Sequence, residues 1–93
     1  MRAIQWRRNG PAREVLERVD LPAPQPAEGE VLVRLHASGI NPHDTKARAG
    51  WRGVQHQGAP VIPHGDGAGI IAGLGAGVPP QRLGERVWVF GAR

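Results

Sequence analysis

A mainly β fold, with about five short strands and one or two short helices, is what this chain of 93 residues predicts. Fourteen glycines and nine prolines punctuate it, which favours short strands and turns over long helices. Apolar and polar residues alternate most clearly over residues 30–38. Val31, Val33, Leu35 and Ala37 fall on one face, and Glu30, Leu32, Arg34, His36 and Ser38 on the other. The glycines follow no strict period and 40% of the residues are apolar, which excludes collagen and disorder.

The elements follow in order. Residues 2–8 form a short strand, and Asn9-Gly10-Pro11 is a turn signal. Residues 15–21 mix apolar and charged side chains and read as a second strand, pairing with the first across that turn. Pro22, Pro24 and Pro26 enforce an extended loop with few donors. After the strand at 30–38, Asn41 is a good helix cap and Pro42 suits the first helical position. Asp44 in the first turn and Lys46 and Arg48 near the end complement the helix dipole, and Gly50 closes the helix. Residues 51–63 read as a loop, 68–74 as a buried strand interrupted by glycine, 75–83 as a turn region and 86–90 as the last strand. Trp6, Trp51 and Trp88 are expected in the core or on a cleft wall.

Composition narrows the function. The net charge is +4, but eleven of the twelve cations are arginines scattered along the chain, and only Arg7 and Arg8 are adjacent. One Phe and no Tyr leave no base-stacking platform, so nucleic acid is not an expected partner. The absence of cysteine excludes disulfides, iron–sulfur clusters and thiolate zinc sites within the chain. No run approaches the roughly eighteen apolar residues of a membrane span. Residues 1–8 lack the apolar core of a signal peptide, so a cytoplasmic protein is expected. The glycines between Gly65 and Gly77 do not spell the dinucleotide fingerprint Gly-x-Gly-x-x-Gly, because the sixth position is Ala72 counting from Gly67 and Val78 counting from Gly73. Packing and turns are their expected use.

Two segments carry more. One is Gly-Ile-Asn-Pro-His-Asp-Thr-Lys-Ala-Arg at 39–48, and the other is Pro-Val-Ile-Pro-His-Gly-Asp-Gly-Ala-Gly-Ile-Ile at 60–71. With residues 1–6, the Pro-rich loop and strand at 22–33, and Leu-Gly-Glu-Arg-Val-Trp-Val at 83–89, their order resembles the medium-chain dehydrogenase/reductase superfamily, on its zinc-free quinone-reductase side. The resemblance implies a partly open chaperonin-10-like (GroES-like) barrel, incomplete because the chain is short. On this reading residues 1–93 are the N-terminal part of the substrate domain. The Rossmann domain lies outside the chain, which alone binds a dinucleotide poorly and does not turn over. An unpaired barrel edge would invite a homo-oligomer.

Zinc members carry a cysteine where Asn41 stands, and a Gly-His-Glu triplet where Gly65 and Asp66 hold the last two places. His64 is one residue out of register. No metal is therefore expected, and a rearranged set of His43, His64 and Asp66 is the alternative. The implied reaction is hydride transfer from NADPH to a quinone or another activated enone. The resemblance puts Asn41 against the nicotinamide, as cofactor contact and catalytic residue, in addition to its role as a helix cap. His43 stands where a proton relay runs in zinc relatives, and is either the proton donor or a surface histidine. Lys46 replaces a tyrosine common in quinone reductases and is assigned to a cofactor phosphate, or else to a solvated helix end. Trp51 and Asp66 are assigned to the substrate pocket. Two alternatives remain open: a zinc alcohol dehydrogenase relative with altered ligands, and a non-catalytic GroES-like interaction module.

Overall fold

The computed structural model describes residues 1–53 and 56–92. In chain order the described elements are β1 (Arg2–Arg8), α1 (Ala12–Val15), β2 (Glu17–Asp20), β3 (Val31–Gly39), α2 (Pro42–Ala49), a 3-10 turn (Trp51–Gly53), β4 (Gln57–Val61), β5 (Asp66–Leu74), a second 3-10 turn (Pro80–Arg82) and β6 (Arg86–Val89). They form two three-stranded sheets, ordered β2-β1-β4 and β3-β5-β6, neither closed on itself. The mainly β, partly open architecture with two short helices is the one the sequence predicts. The chain divides into two units, Met1–Pro22 with Ile40–His64, and Ala23–Gly39 with Gly65–Arg93.

In the first unit β1 is central. Its first half pairs antiparallel with β2, Arg2 opposite Asp20 and Gln5 opposite Glu17. Its second half pairs with β4, Trp6 opposite Val61 and Arg8 opposite Gln57. Two expectations are corrected here. The second strand does not begin at residue 15. Pro11 instead starts one helical turn, in which the Val15 and Leu16 N–H groups donate to the Pro11 and Ala12 carbonyls at 3.1 and 3.0 Å. The turn delivers Val15 into the core, where it and Trp6 are buried. Nor is 51–63 all loop: β4 lies within it, making six strands rather than five. Its sequence Gln-Gly-Ala-Pro-Val has no alternation to read, and the pairing comes from β1. Proline is tolerated there because β4 is an edge strand.

In the second unit β5 is central, with Val31 opposite Leu74 at one end of β3 and Gly39 opposite Asp66 at the other. Two bulges interrupt this ladder. Leu32 and Val33 oppose Gly73 and Ile71, so Ala72 is extra; Leu35 and Ala37 oppose Gly69 and Ala68, so His36 is extra. The extra residue His36 resets which side chains of β3 share a face beyond Leu35, so the simple two-face reading fails for the end of the strand. Leu35, expected on the core face, is 54% exposed, while Ile71 of β5 is fully buried. Trp88, also expected inside, is 78% exposed, opposite Ala68 on the edge strand β6. The proline loop docks on the turn after β5: Gly29 N–H donates to the Ala76 carbonyl at 2.9 Å and Gly75 N–H to the Glu30 carbonyl at 2.8 Å. Beside β6, Arg82 donates to Glu85 at 2.8 and 3.4 Å. That hydrogen bond, aided by the guanidinium charge, holds Glu85 below the usual carboxylate range.

The β3–β5 pairing depends on glycines that admit backbone. A Cβ on Gly69 would collide with the Arg34 carbonyl, and one on Gly67 would lie 2.6 Å from the Ala37 carbonyl. At Gly73 the nearest atom would be Leu32 Cβ, at 3.3 Å. Gly69→Ala is therefore expected to lower unfolding stability by about 3 kcal/mol, and Gly73→Ala by about 1 kcal/mol or less. Urea denaturation midpoints of the two variants check this ordering.

Candidate functional site

The helix α2 carries most of the expected site residues, and both its ends are fixed. Asn41 precedes it in extended conformation, φ −117° and ψ 156°, and Pro42 starts it. The buried Asp44 turns back to accept the Asn41 backbone N–H at 2.8 Å, and its own N–H donates to the Asn41 carbonyl at 2.9 Å. An acidic group here also suits the positive end of the helix dipole. At the far end Gly50 takes the left-handed conformation, φ 81° and ψ 43°, as a C-terminal glycine does.

Asn9 and Gly10 complete that far end. The Asn9 side-chain amide donates to the Ala47 and Arg48 carbonyls at 3.0 and 3.2 Å, and its oxygen accepts the His56 N–H at 2.6 Å. Gly10 N–H donates to the Arg48 carbonyl at 2.9 Å, and Arg48 Nε returns to the Gly10 carbonyl at 3.3 Å. The last carbonyls of α2, which lack partners within the helix, are thus satisfied by the turn after β1. His56 in turn packs edge-on against buried Trp6, with ring centroids 5.1 Å apart, and its Nε2 lies 2.6 Å from the Ala59 carbonyl.

His43 is 84% exposed on the first turn of α2, with Nε2 3.8 Å from Asp44 Oδ1, an ion pair only when the imidazole is protonated. Lys46 does not simply point to water: its Nζ lies 5.0 Å from the centre of the Trp51 ring. Arg52 joins it, guanidinium carbon 4.3 Å from the same centre. Arg52 is in the left-handed region, φ 58° and ψ 28°. Trp51 itself is half-exposed. Asp66 belongs to the second unit, as the first residue of β5 opposite Gly39, whose missing Cβ would stand 3.3 Å from Asp66 Cβ.

Of the expected residues, the structure brings Lys46 to Trp51, and it places Asn41 as the cap of α2 and His43 on its first turn. Sequence reading missed Asn9 and Arg52. Asn9 announced only a turn, and its partners lie 38 and 39 residues away. Arg52, between Trp51 and Gly53, carried no periodic signal. No group of three or more His, Asp or Glu able to hold a metal ion occurs among the described residues, and no helix there is long and apolar enough to cross a membrane.

Removing the Asn9 amide strips three hydrogen bonds from α2 and His56. Asn9→Ala is expected to cost about 2 kcal/mol. That is a fall of about 10 °C in melting temperature for a chain of this size. Faster hydrogen exchange at the His56 amide, beyond the global effect, would locate the loss.

Comparison with known proteins agrees along nearly the whole chain. Residues 27–92 match the family described as the alcohol dehydrogenase GroES-like domain. A rat quinone oxidoreductase is 39% identical over 92 residues, covering 97% of the chain and 27% of that protein. A chloroplast envelope quinone oxidoreductase homolog from Arabidopsis thaliana is 35% identical over 88 residues, covering 94% of the chain and 27% of that protein. Among solved structures, Escherichia coli quinone oxidoreductase complexed with NADPH superposes with a TM-score of 0.78 at 30% identity, over 100% of the chain and 28% of its own. An NAD-dependent alcohol dehydrogenase gives 0.81 at 37% identity, over 95% of the chain and 25% of its own. The chain spans about a quarter of the length of these relatives.

Proposed function

This chain belongs to the alcohol dehydrogenase GroES-like domain family, and from that premise we propose that residues 1–93 are the N-terminal part of the substrate domain of an NADPH-dependent, zinc-independent quinone or enone oxidoreductase. Its dinucleotide is held mainly by a Rossmann domain elsewhere in the protein. The observation that carries this reading is the likeness to quinone oxidoreductases along nearly the whole of a chain that has no cysteine. A small quinone or enone is the partner, with a homo-oligomer as the assembly.

The reduced nicotinamide, when bound, supplies the hydride. A carboxamide donates and accepts in the same way as the Asn41 side chain, so the donor set at the head of α2 fits that ring's substituent. Asn41 orients it, and Asp44 keeps Asn41 at the helix head through its backbone N–H. Hydride addition to a conjugated carbonyl leaves negative charge on oxygen, which needs a donor or a proton. His43 is assigned that proton, and what supports it is an exposed imidazole one turn position from a buried carboxylate.

Steady-state NADPH oxidation by the full-length protein, with a quinone acceptor, tests this. Asn41→Ser keeps a good helix cap but removes the amide, and is expected to lower kcat/KM by about tenfold or more at unchanged melting temperature. His43→Gln is expected to lower kcat about tenfold or more at unchanged melting temperature. The 93-residue chain alone is expected to show no turnover. Full activity in Asn41→Ser, or quinone reduction by the 93 residues alone, would overturn the corresponding assignment.

A further inference from the structure

Lys46 and Arg52 both rest on one ring. Like charges do not gather without cause, and no carboxylate explains these two. The ion pairs among the described residues are Met1 with Asp20, Arg7 with Glu17, His43 with Asp44 and Arg82 with Glu85. Neither Lys46 nor Arg52 takes part in them. Each is held by the Trp51 π face, at 5.0 and 4.3 Å. Such contacts at an exposed ring contribute about 0.5–1 kcal/mol each, enough to localise a side chain but not to neutralise it.

The backbone reinforces the placement. Arg52 is one of two non-glycine residues with positive φ among the described residues, and that conformation costs an L-residue about 1–2 kcal/mol. Gly50 and Gly53 flank the turn with φ of 81° and 73°. Lys46 is presented from α2, whose far end is pinned by Asn9. The outcome is a flat ring, 52% exposed, with two uncompensated cations against it.

We infer that Lys46, Trp51 and Arg52 form a selectivity site for flat aromatic substrates that carry an anionic group, such as a sulfonate or carboxylate. The exposed part of the Trp51 ring offers an apolar aromatic surface beside the two cations, which offer charge-assisted hydrogen bonds to the anion. The site deepens the quinone reading by naming an anionic quinone as the preferred substrate, and rests on it for the word quinone. A phosphate of an adenine nucleotide has the same chemistry, so the test must separate the two sources.

Calorimetric titration of the chain with anthraquinone-2-sulfonate, with neutral 2-(hydroxymethyl)anthraquinone and with adenosine 2′,5′-bisphosphate does so. No turnover is read, so the result is independent of the quinone reductase assay. The sulfonate is expected to bind about tenfold tighter than the neutral quinone at low salt, from two exposed charge contacts of about 0.5–1 kcal/mol each. The advantage should shrink to about twofold in 0.5 M NaCl. Lys46→Gln with Arg52→Asn, which keeps a helix former at 46 and a residue tolerant of positive φ at 52, should abolish it and leave neutral quinone binding unchanged. Trp51→Leu should weaken both quinones. Equal affinity for the two quinones overturns the inference and leaves the quinone reading standing. Tight binding of the bisphosphate, competitive with the sulfonate, overturns it in favour of a cofactor phosphate. No binding of either quinone overturns it outright.

Discussion

One side-chain amide fixes the helix on which the candidate chemistry depends. Asn9 donates to two carbonyls at the end of α2 and accepts from His56, so three segments distant in sequence meet on four heavy atoms. A helix of eight residues is too short to stand alone in water. Its hydrophobic face cannot hold it either, because the only buried residue within it is Asp44. Polar clasps therefore replace burial: Asp44 at the head, Asn9 and Gly10 at the tail. Asn41, His43 and Lys46 inherit their positions from these clasps.

In the second unit close backbone approach has the equivalent role. Gly67 and Gly69 let β5 lie against β3 where any Cβ would strike a carbonyl. The bulges at Ala72 and His36 take up one residue on each strand in turn, so the register gained at the first is returned at the second. Gly39 then meets Asp66 in register at the far end of the ladder. The glycines that the sequence assigned to packing and turns are thus the packing surface of a central strand.

Much of this was legible. Asn41-Pro42 as a helix start, Gly50 as its end, and the strands near 2–8, 31–39, 66–74 and 86–89 all follow from local chemistry that needs no distant partner. What escaped was non-local. β4 exists because β1 offers it a ladder, and Asn9 matters because α2 ends beside it. Neither fact leaves a mark on the local sequence. The end of β3 escaped for a different reason: a period of two predicts faces only while the strand is unbroken, and His36 breaks it beyond Leu35. At the site, the sequence marked Lys46 and Trp51 separately. Their contact, and Arg52 as third member, needed the left-handed turn at 52.

The replaced zinc positions can be weighed on the same physical terms. If Gly65 stands where a zinc relative has histidine, steric crowding is not why. A Cβ there would meet its nearest neighbours, Gly91 and Ala92 backbone atoms, at 3.6 to 3.9 Å, ordinary van der Waals contact. Nor is its backbone in the positive-φ region that demands glycine, which here is taken by the preceding His64 at φ 76°. The fold would accommodate a side chain at 65, so the loss of a ligand is a change of chemistry rather than a concession to packing. At position 41 asparagine is a preferred helix-capping residue type and brings an amide with both donor and acceptor. On the proposed zinc-independent reading, charge that a metal would neutralise on the substrate oxygen is met by hydrogen bonds and a proton. That requirement gives weight to the polar residues that the two clasps hold along α2.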